Sequence, residues 1–364
     1  MTDDALQKLR DRIDAIDEQL LELFNQRAGC AVDVAAVKRK LSEAVDENID
    51  FFRPDREAQV INRLKSLNRG PLSDDEVGRL IREVMSACLA LEQPLKIAYL
   101  GPEGTFTQSA ALKHFGHSVS TIPMSSIPDA FNSVESGHAD YGLVPVENST
   151  EGVISHTLDM FIDSNLKVCG EVEIRVHHHL ATGSQDISAI RHVYSHQQSF
   201  AQCRRWLDQN FPGIERIPVS SNAEAARLAS IESDAAAICG LPAVEIFGLK
   251  ICYQNIEDLS DNTTRFVIIG NQEVGPSGND KTSLLISTKN IPGALLGLLQ
   301  PLANHGISMN KIESRPAQAS KWAYVFFIDI DGHQLDTNVV EALNELKQQA
   351  ALFKILGSYP KASL

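Results

Sequence analysis

The stretch Tyr141-Gly142-Leu143-Val144-Pro145-Val146-Glu147-Asn148-Ser149-Thr150-Glu151-Gly152 decides how this chain is read. An apolar run of strand length passes directly into polar and small residues, and a helical pattern follows. In an α/β sheet, polar clusters at strand carboxyl ends face the ligand crevice. Three further stations repeat the arrangement. Lys96-Ile97-Ala98-Tyr99-Leu100 runs into Gly101-Pro102-Glu103-Gly104-Thr105-Phe106-Thr107 and then a helix. Ser195-His196-Gln197-Gln198 follows a strand and precedes a helix ending in Gln202-Cys203. Asp261-Asn262-Thr263-Thr264-Arg265-Phe266 leads into the strand Val267-Ile268-Ile269. Glycine turns and hydroxyls at helix N-termini suit carboxylate ligands, although such turns are common in any α/β domain. His177-His178-His179 also stands in this region, but neighbours on a strand point to opposite faces, so structural roles are expected and no metal.

Outward from this α/β segment, residues 96–270, the texture changes twice. Gly270 to Gly278 is polar and glycine-rich and reads as a linker. Beyond it, Ser283-Leu284-Leu285-Ile286-Ser287 opens a strand-helix-strand-strand-helix-strand order. Asn290-Ile291-Pro292-Gly293-Ala294-Leu295-Leu296 starts its first helix, which ends at Asn304-His305-Gly306. Lys311-Ile312-Glu313-Ser314-Arg315-Pro316 and Trp322 to Ile330 form neighbouring strands.

Residues 1–92 read as purely helical. Leu9, Ile13, Ile16, Leu20 and Leu23 begin a heptad-like stripe that Cys30, Val34, Val37 and Leu41 extend. A helix of about 35 residues is long for a globular domain and calls for a long partner. Arg53-Pro54 starts a second helix and Gly70-Pro71 ends it. Ser73-Asp74-Asp75-Glu76 is a capping box for a third, which Pro94 stops.

Arg27 falls in the apolar column, where burial is expected. Lys38 lies three turns further on, about 16 Å along the axis, facing the same way. Either each cation snorkels or pairs with an acid at a helix interface, or the two converge on one small dianion. Arg10 is about 42 Å from Lys38 along a straight helix, so only an antiparallel second copy brings it to the same ligand.

Composition narrows the alternatives. At 364 residues the chain has room for two or three domains. A net charge of −14, concentrated in the middle segment, disfavours a nucleic-acid partner. The acidic start Met1-Thr2-Asp3-Asp4 lacks the basic and apolar regions of a secretion signal, and no apolar run approaches a membrane span. Six scattered cysteines without a CxxC pair suit buried thiols in a reducing cytoplasm. The expected location is cytoplasmic.

Three resemblances build on these residues. Arg10, Arg27, Lys38, Arg56, Glu57 and Glu92 match the all-helical chorismate mutase domain, an intertwined dimer, which the first segment resembles. The resemblance implies that Arg27 and the partner chain's Arg10 hold substrate carboxylates, that Lys38 meets the ether oxygen, and that Glu57 meets the hydroxyl. The reaction implied is pericyclic, so the protein needs to fold a dicarboxylate and stabilise charge on the breaking ether. Glu92 stands where glutamine is common, and Cys88 where serine often is.

Residues 96–270 resemble prephenate dehydratase, with the Val144 to Ser149 run and Thr264-Arg265-Phe266 as the specific parts. That implies an α/β domain of two lobes like a periplasmic binding protein, one at 96–170 plus 255–270 and the other at 171–254. Thr264 is the implied proton donor to the leaving hydroxyl. Thr105, Glu147, Asn148, Ser149, Ser195, Gln202, Arg265 and Phe266 are the implied substrate-binding set. Gln197 stands where relatives often have proline.

Residues 281–364 resemble an α+β, ferredoxin-like ACT domain of the phenylalanine-binding type. Gly293, Ala294, Leu295 and Leu296 with Glu313, Ser314, Arg315 and Pro316 are its implied ligand motifs. Removal of this segment is expected to abolish regulation if the remaining chain folds.

The whole is thus a multidomain chain similar to the bifunctional chorismate mutase/prephenate dehydratase family. The resemblance implies no cofactor, no metal, and no nucleic-acid or membrane partner. Chorismate, prephenate and phenylalanine are the implied ligands, with a homodimer or higher homo-oligomer. Arogenate dehydratase and a non-catalytic amino-acid-binding protein are the alternatives.

Overall fold

The computed structural model describes residues 2–45, 51–288, 291–316 and 324–362. Met1, Asn290 and Trp322, quoted above, lie outside them. The N-terminal unit is helical. Helix α1 (Thr2–Val45) is one element of 44 residues, longer than the apolar stripe predicts. Helix α2 (Pro54–Leu67) carries proline in its first turn, where the missing N–H is no loss. Helix α3 (Asp74–Glu92) is capped as expected, with Ser73 Oγ accepting from the Glu76 N–H at 3.2 Å.

Helix α3 packs on α1, and Ala35 of α1 is buried. The other side of α1 is uncovered among the described residues. Leu9, Ile13, Val37 and Leu41 are each more than half exposed. Arg27 is exposed with them, against the expectation of burial, because no described residue of the single chain covers it.

From Lys96 onward the chain alternates strands and helices. Strands β1 (Lys96–Leu100), β2 (Ser120–Met124), β3 (Tyr141–Asn148), β4 (Gly152–Val153) and β5 (Lys167–Arg175) enclose helices α4 (Phe106–Phe115), α5 (Ile127–Glu135) and α6 (Ser155–Asp163). Next come β6 (His179–Thr182), β7 (His192–His196), α7 (Gln197–Gln202), α8 (Arg204–Asn210) and β8 (Glu215–Val219). Helix α9 (Asn222–Ile231), β9 (Ala235–Cys239), α10 (Leu241–Ile246), β10 (Lys250–Tyr253) and β11 (Thr263–Gly270) complete the two lobes. The first sheet has the order β2-β1-β3-β11-β5 with β4 on β3, and the second β10-β6-β9-β7-β8. The last strand, β11, thus returns to the first sheet.

One lobe boundary differs from the sequence reading. Residues 171–175 belong to the first lobe, because β5 pairs antiparallel with β11 over its whole length. The connections between lobes are bonded to each other: the Val176 N–H donates to Asn262 O, and the Ile256 N–H to His178 O, both at 2.8 Å.

The C-terminal sheet has the order β13-β14-β12-β15. Its elements are β12 (Asp280–Ser287), α11 (Ala294–Asn304), β13 (Met309–Pro316), β14 (Tyr324–Asp331), α12 (Thr337–Gln349) and β15 (Leu352–Pro360), a βαββαβ unit. The run Leu284-Leu285-Ile286 is apolar on both faces for a structural reason. Leu284 and Ile286 pack with Leu298, Leu302, Leu343 and Leu346 of the two helices. Leu285 points the other way and shares one core with Phe131, Phe161 and Val168 of the first lobe. Gly357 makes this docking possible: a Cβ there would collide with the Val168 carbonyl.

Candidate active site

Strands β3 and β11 lie side by side with Asn148 opposite Thr264 and Glu147 opposite Arg265. Alternation then separates these four residues onto two faces.

On the first face, the Asn148 amide is oriented without ambiguity. Its Oδ1 accepts from the backbone N–H groups of Thr150 and Glu151, at 3.0 and 3.2 Å, and a backbone N–H can only donate. Nδ2 therefore faces Asn262 Oδ1 and Thr264 Oγ1, both at 2.8 Å. The order propagates. Asn262 Nδ2 donates to Gln202 Oε1 at 3.2 Å, and Gln202 Nε2 to Glu151 Oε1 at 3.3 Å. Gln202 Oε1 is left to accept from His178 Nε2 at 2.8 Å, which fixes that tautomer. His178 is almost wholly buried, and burial lowers its pKa, so it stays neutral.

The consequence falls on Thr264. Its oxygen accepts from Asn148, so its own hydrogen is directed elsewhere. A donated hydrogen bond also stabilises negative charge growing on Oγ1, which makes the hydroxyl a better proton donor. A pocket of about 460 Å³ reaches this network at Glu151, Gln202 and Asn262, and Arg205 and Asp258 also line it.

Asn262 and His178 were missed as network members by the sequence reading. Asn262 was legible: it stands two residues before Thr264, the spacing that shares a strand face. His178 was not, because its partner Gln202 is remote in sequence.

The sequence of this chain matches three family models: Chorismate mutase type II over residues 9–93, Prephenate dehydratase over 97–274 and ACT domain over 282–348. The bifunctional chorismate mutase/prephenate dehydratase of Pseudomonas aeruginosa is 53% identical over 99% of each chain. That of Neisseria gonorrhoeae is 49% identical over 100% of this chain and 99% of its own. This chain belongs to the bifunctional chorismate mutase/prephenate dehydratase family. Among solved structures, the prephenate dehydratase of Arthrobacter aurescens in complex with L-Phe is similar, with a TM-score of 0.67 and 33% identity. The match covers 73% of this chain and 90% of that one. The fold is the multidomain one expected for the family, with a helical domain, a two-lobed α/β domain and an ACT domain.

Other residues singled out for the dehydratase region of this family member lie apart from Thr264. Arg265 is on the opposite face of β11, where its guanidinium bonds Glu171, Asp329 and the Tyr359 hydroxyl. It does not face the Asn148–Thr264 side, and strand alternation is the reason. Burial disfavours its charge, but the neighbouring tyrosine and carboxylates hold its pKa above the ordinary arginine value. Glu147 is turned the same way and pairs with Lys311 Nζ at 2.7 Å. Phe266 is buried in the protein interior. Ser195 is also fully buried, donating to Asn222 Oδ1 at 3.1 Å, so it holds α9 within the second lobe. Ser149 Oγ accepts from the Thr263 N–H at 2.9 Å, and the Thr105 hydroxyl donates back to Pro102 O at 2.9 Å.

In the helical domain, Arg27, Lys38 and Glu92 are near enough to interact. Burial raises the Glu92 pKa, against the lowering effect of Lys38, Arg27 and Arg39, and its Oε2 has no hydrogen-bond partner among the described residues. Arg39 Nη2 donates to the Glu92 carbonyl at 2.7 Å. Arg56 and Glu57 stand in the first turn of α2, and Arg10 near the far end of α1.

In the ACT domain, Gly293 adopts φ +80° just before α11, a conformation that strains residues with side chains. Ala294, Leu295 and Leu296 form the first turn of α11, and Leu296 is strongly exposed. Alternation divides the second motif. Ser314 and Pro316 face outward, whereas Glu313 and Arg315 face inward. Arg315 is engaged by Asp159 at 2.7 Å and the Ser155 hydroxyl at 2.7 Å, so it is a docking residue on α6.

Among the described residues, one group has metal-ligand spacing: His192, Glu232 and Asp234, with ligand atoms within 4.8 Å. It stands at the opposite end of β7 from Ser195, and His192 and Tyr194 already bond Glu232. His177 instead pairs with Glu257 at 2.7 Å, and His179 Nδ1 accepts from the Asn255 N–H. No helix among the described residues is long and apolar enough to cross a membrane.

Proposed function

We propose that this chain rearranges chorismate to prephenate in a domain spanning residues 1–92 and converts prephenate to phenylpyruvate in one spanning 96–270. Phenylalanine acts as feedback inhibitor at residues 281–364. Family membership supports both reactions, and the orientation of Asn148 toward Thr264 is the observation that supports the second chemistry.

In the dehydratase step, the ring carbon–carboxylate bond breaks and its electron pair enters the ring. The carbon–oxygen bond to the para hydroxyl breaks in concert, and that oxygen takes the Thr264 proton. Water and carbon dioxide leave as the ring becomes aromatic, and solvent reprotonates Thr264. Asn148 supports the transient charge on Oγ1, and aromatisation supplies the driving force. Asn262 and Gln202 hold Asn148 and close the lobes over the substrate. Arg265, Glu147 and Arg315 take no part in binding on this reading.

In the mutase step, Arg27 and Lys38 bind the dianion with Glu57, and Glu92 donates to the ether oxygen in its protonated form. The uncovered stripe of α1 supports a homodimer in which a second copy covers it and delivers Arg10. The protein works in the cytoplasm. Supplying chorismate and following prephenate and phenylpyruvate together tests the whole reading. Release of phenylpyruvate sustains it. Accumulation of prephenate alone, or turnover of arogenate in its place, would reject the dehydratase assignment.

A further inference from the structure

Two laterally paired positions on one sheet meet two on another with inverted charges. Glu147 and Arg265 are register partners on β3 and β11. Lys311 and Asp329 are register partners on β13 and β14. Lys311 Nζ lies 2.7 Å from Glu147 Oε2, and Arg265 Nη1 lies 2.7 Å from Asp329 Oδ2. Arg265 is anchored further by Glu171, which also binds Lys281 Nζ at 2.8 Å. Each dehydratase residue of this latch is the immediate chain neighbour of one member of the Asn148–Thr264 pair.

We propose that the Glu147–Lys311 and Arg265–Asp329 bridges position the Asn148–Thr264 pair, making the ACT sheet a working part of the dehydratase site. Lys311 is accordingly a positioning residue for proton transfer although it faces away from the cleft. This rests on the dehydratase reading above. The physical argument is leverage. A peptide unit is rigid, so a shift of Glu147 or Arg265 is passed to the adjoining Cα. The 2.8 Å bond between Asn148 and Thr264 is sensitive to displacements well below 1 Å. The Glu147–Lys311 bridge also joins β13, the strand carrying the Glu313 to Pro316 motif, to the same point, so that motif and the Asn148–Thr264 pair share one mechanical connection.

Lys311 offers a clean test. Its partner Glu147 has a side chain 38% exposed, so cutting this bridge leaves a carboxylate that water can solvate. Stability then changes little. Lys311→Met in the full-length protein should lower kcat on prephenate by about tenfold with KM within about twofold, and Lys311→Arg should restore kcat. Glu147→Gln should have a similar effect, and the double variant should be no worse than either single one. Unchanged kcat in Lys311→Met, failure of Lys311→Arg to rescue, or fully additive losses would each overturn the proposal. Hydrogen exchange gives a readout independent of activity. The amides of residues 147–148 and 264–265 should exchange faster in Lys311→Met than in the parent protein. Unchanged exchange there would reject the latch even if the parent protein proved not to act on prephenate.

Discussion

Thr264 and Arg265 are consecutive in sequence and serve opposite faces of β11. The Thr264 oxygen accepts from Asn148 at 2.8 Å, and the Arg265 guanidinium lies between Asp329 and Glu171 at 2.7 and 2.8 Å. One dipeptide thus joins the proposed proton donor to the buried contact between two domains.

Thr264→Ala should reduce dehydratase kcat by at least about a hundredfold while KM moves little, since proton donation acts in the transition state. Thr264→Ser should keep much of the activity. Steady-state kinetics on prephenate decide the matter: preserved kcat with a raised KM would make Thr264 a binding residue.

Arg265→Ala should destabilise the protein by about 3–5 kcal/mol, because Asp329 and Glu171 would lose the guanidinium between them. Chemical denaturation measures this directly. A loss below about 1 kcal/mol would mean that Lys281 and Ser283 satisfy the two carboxylates without the guanidinium.

Deletion of residues 281–364 carries a different expectation once the fold is known. The sequence alone implies loss of regulation only if the remainder folds. The deletion would strip Lys281, Asp329 and Tyr359 from Glu171 and Arg265, and Leu285, Phe327 and Leu356 from the first-lobe core. The truncated chain should aggregate or lose dehydratase turnover. Gly293→Val is the better probe of regulation, since it strains the turn before α11 without opening that core. It should retain turnover and lose phenylalanine inhibition. Full inhibition of this variant at unchanged phenylalanine concentration would move the effector site elsewhere.

Mutase activity should fall as pH rises through the ionisation of Glu92. In the proposed role the donor form is the protonated one, and burial shifts its loss to higher pH than for an ordinary glutamate. Glu92→Gln should flatten the profile. A parent profile already flat from acid to alkaline pH would refute the role.

Mixing Arg10→Ala with Arg27→Ala subunits should restore part of the mutase activity that each lacks, because one pocket in a mixed dimer keeps both arginines. Subunit exchange verified by mass, with no recovery of rate, would rule out the shared pocket.

The sequence by itself determined the elements and their order. Strand runs ending in polar clusters, the Ser73 cap, proline at the start of α2 and the βαββαβ pattern are local signals, set by backbone sterics and hydrogen bonding within a few residues. It also placed Thr264 and Asn148 in the candidate site. Only the tertiary structure decided which way neighbouring side chains work. Glu147, Arg265 and Arg315 are polar residues inside recognised motifs, so sequence assigned them to ligands. Their partners Lys311, Asp329 and Asp159 are remote in the chain, and a charge on a strand declares its face only when the covering sheet or helix is in place. The same holds for α1. Its heptad stripe announces a partner from sequence alone, but the face is buried only where another surface meets it, and none does so among the described residues of one chain.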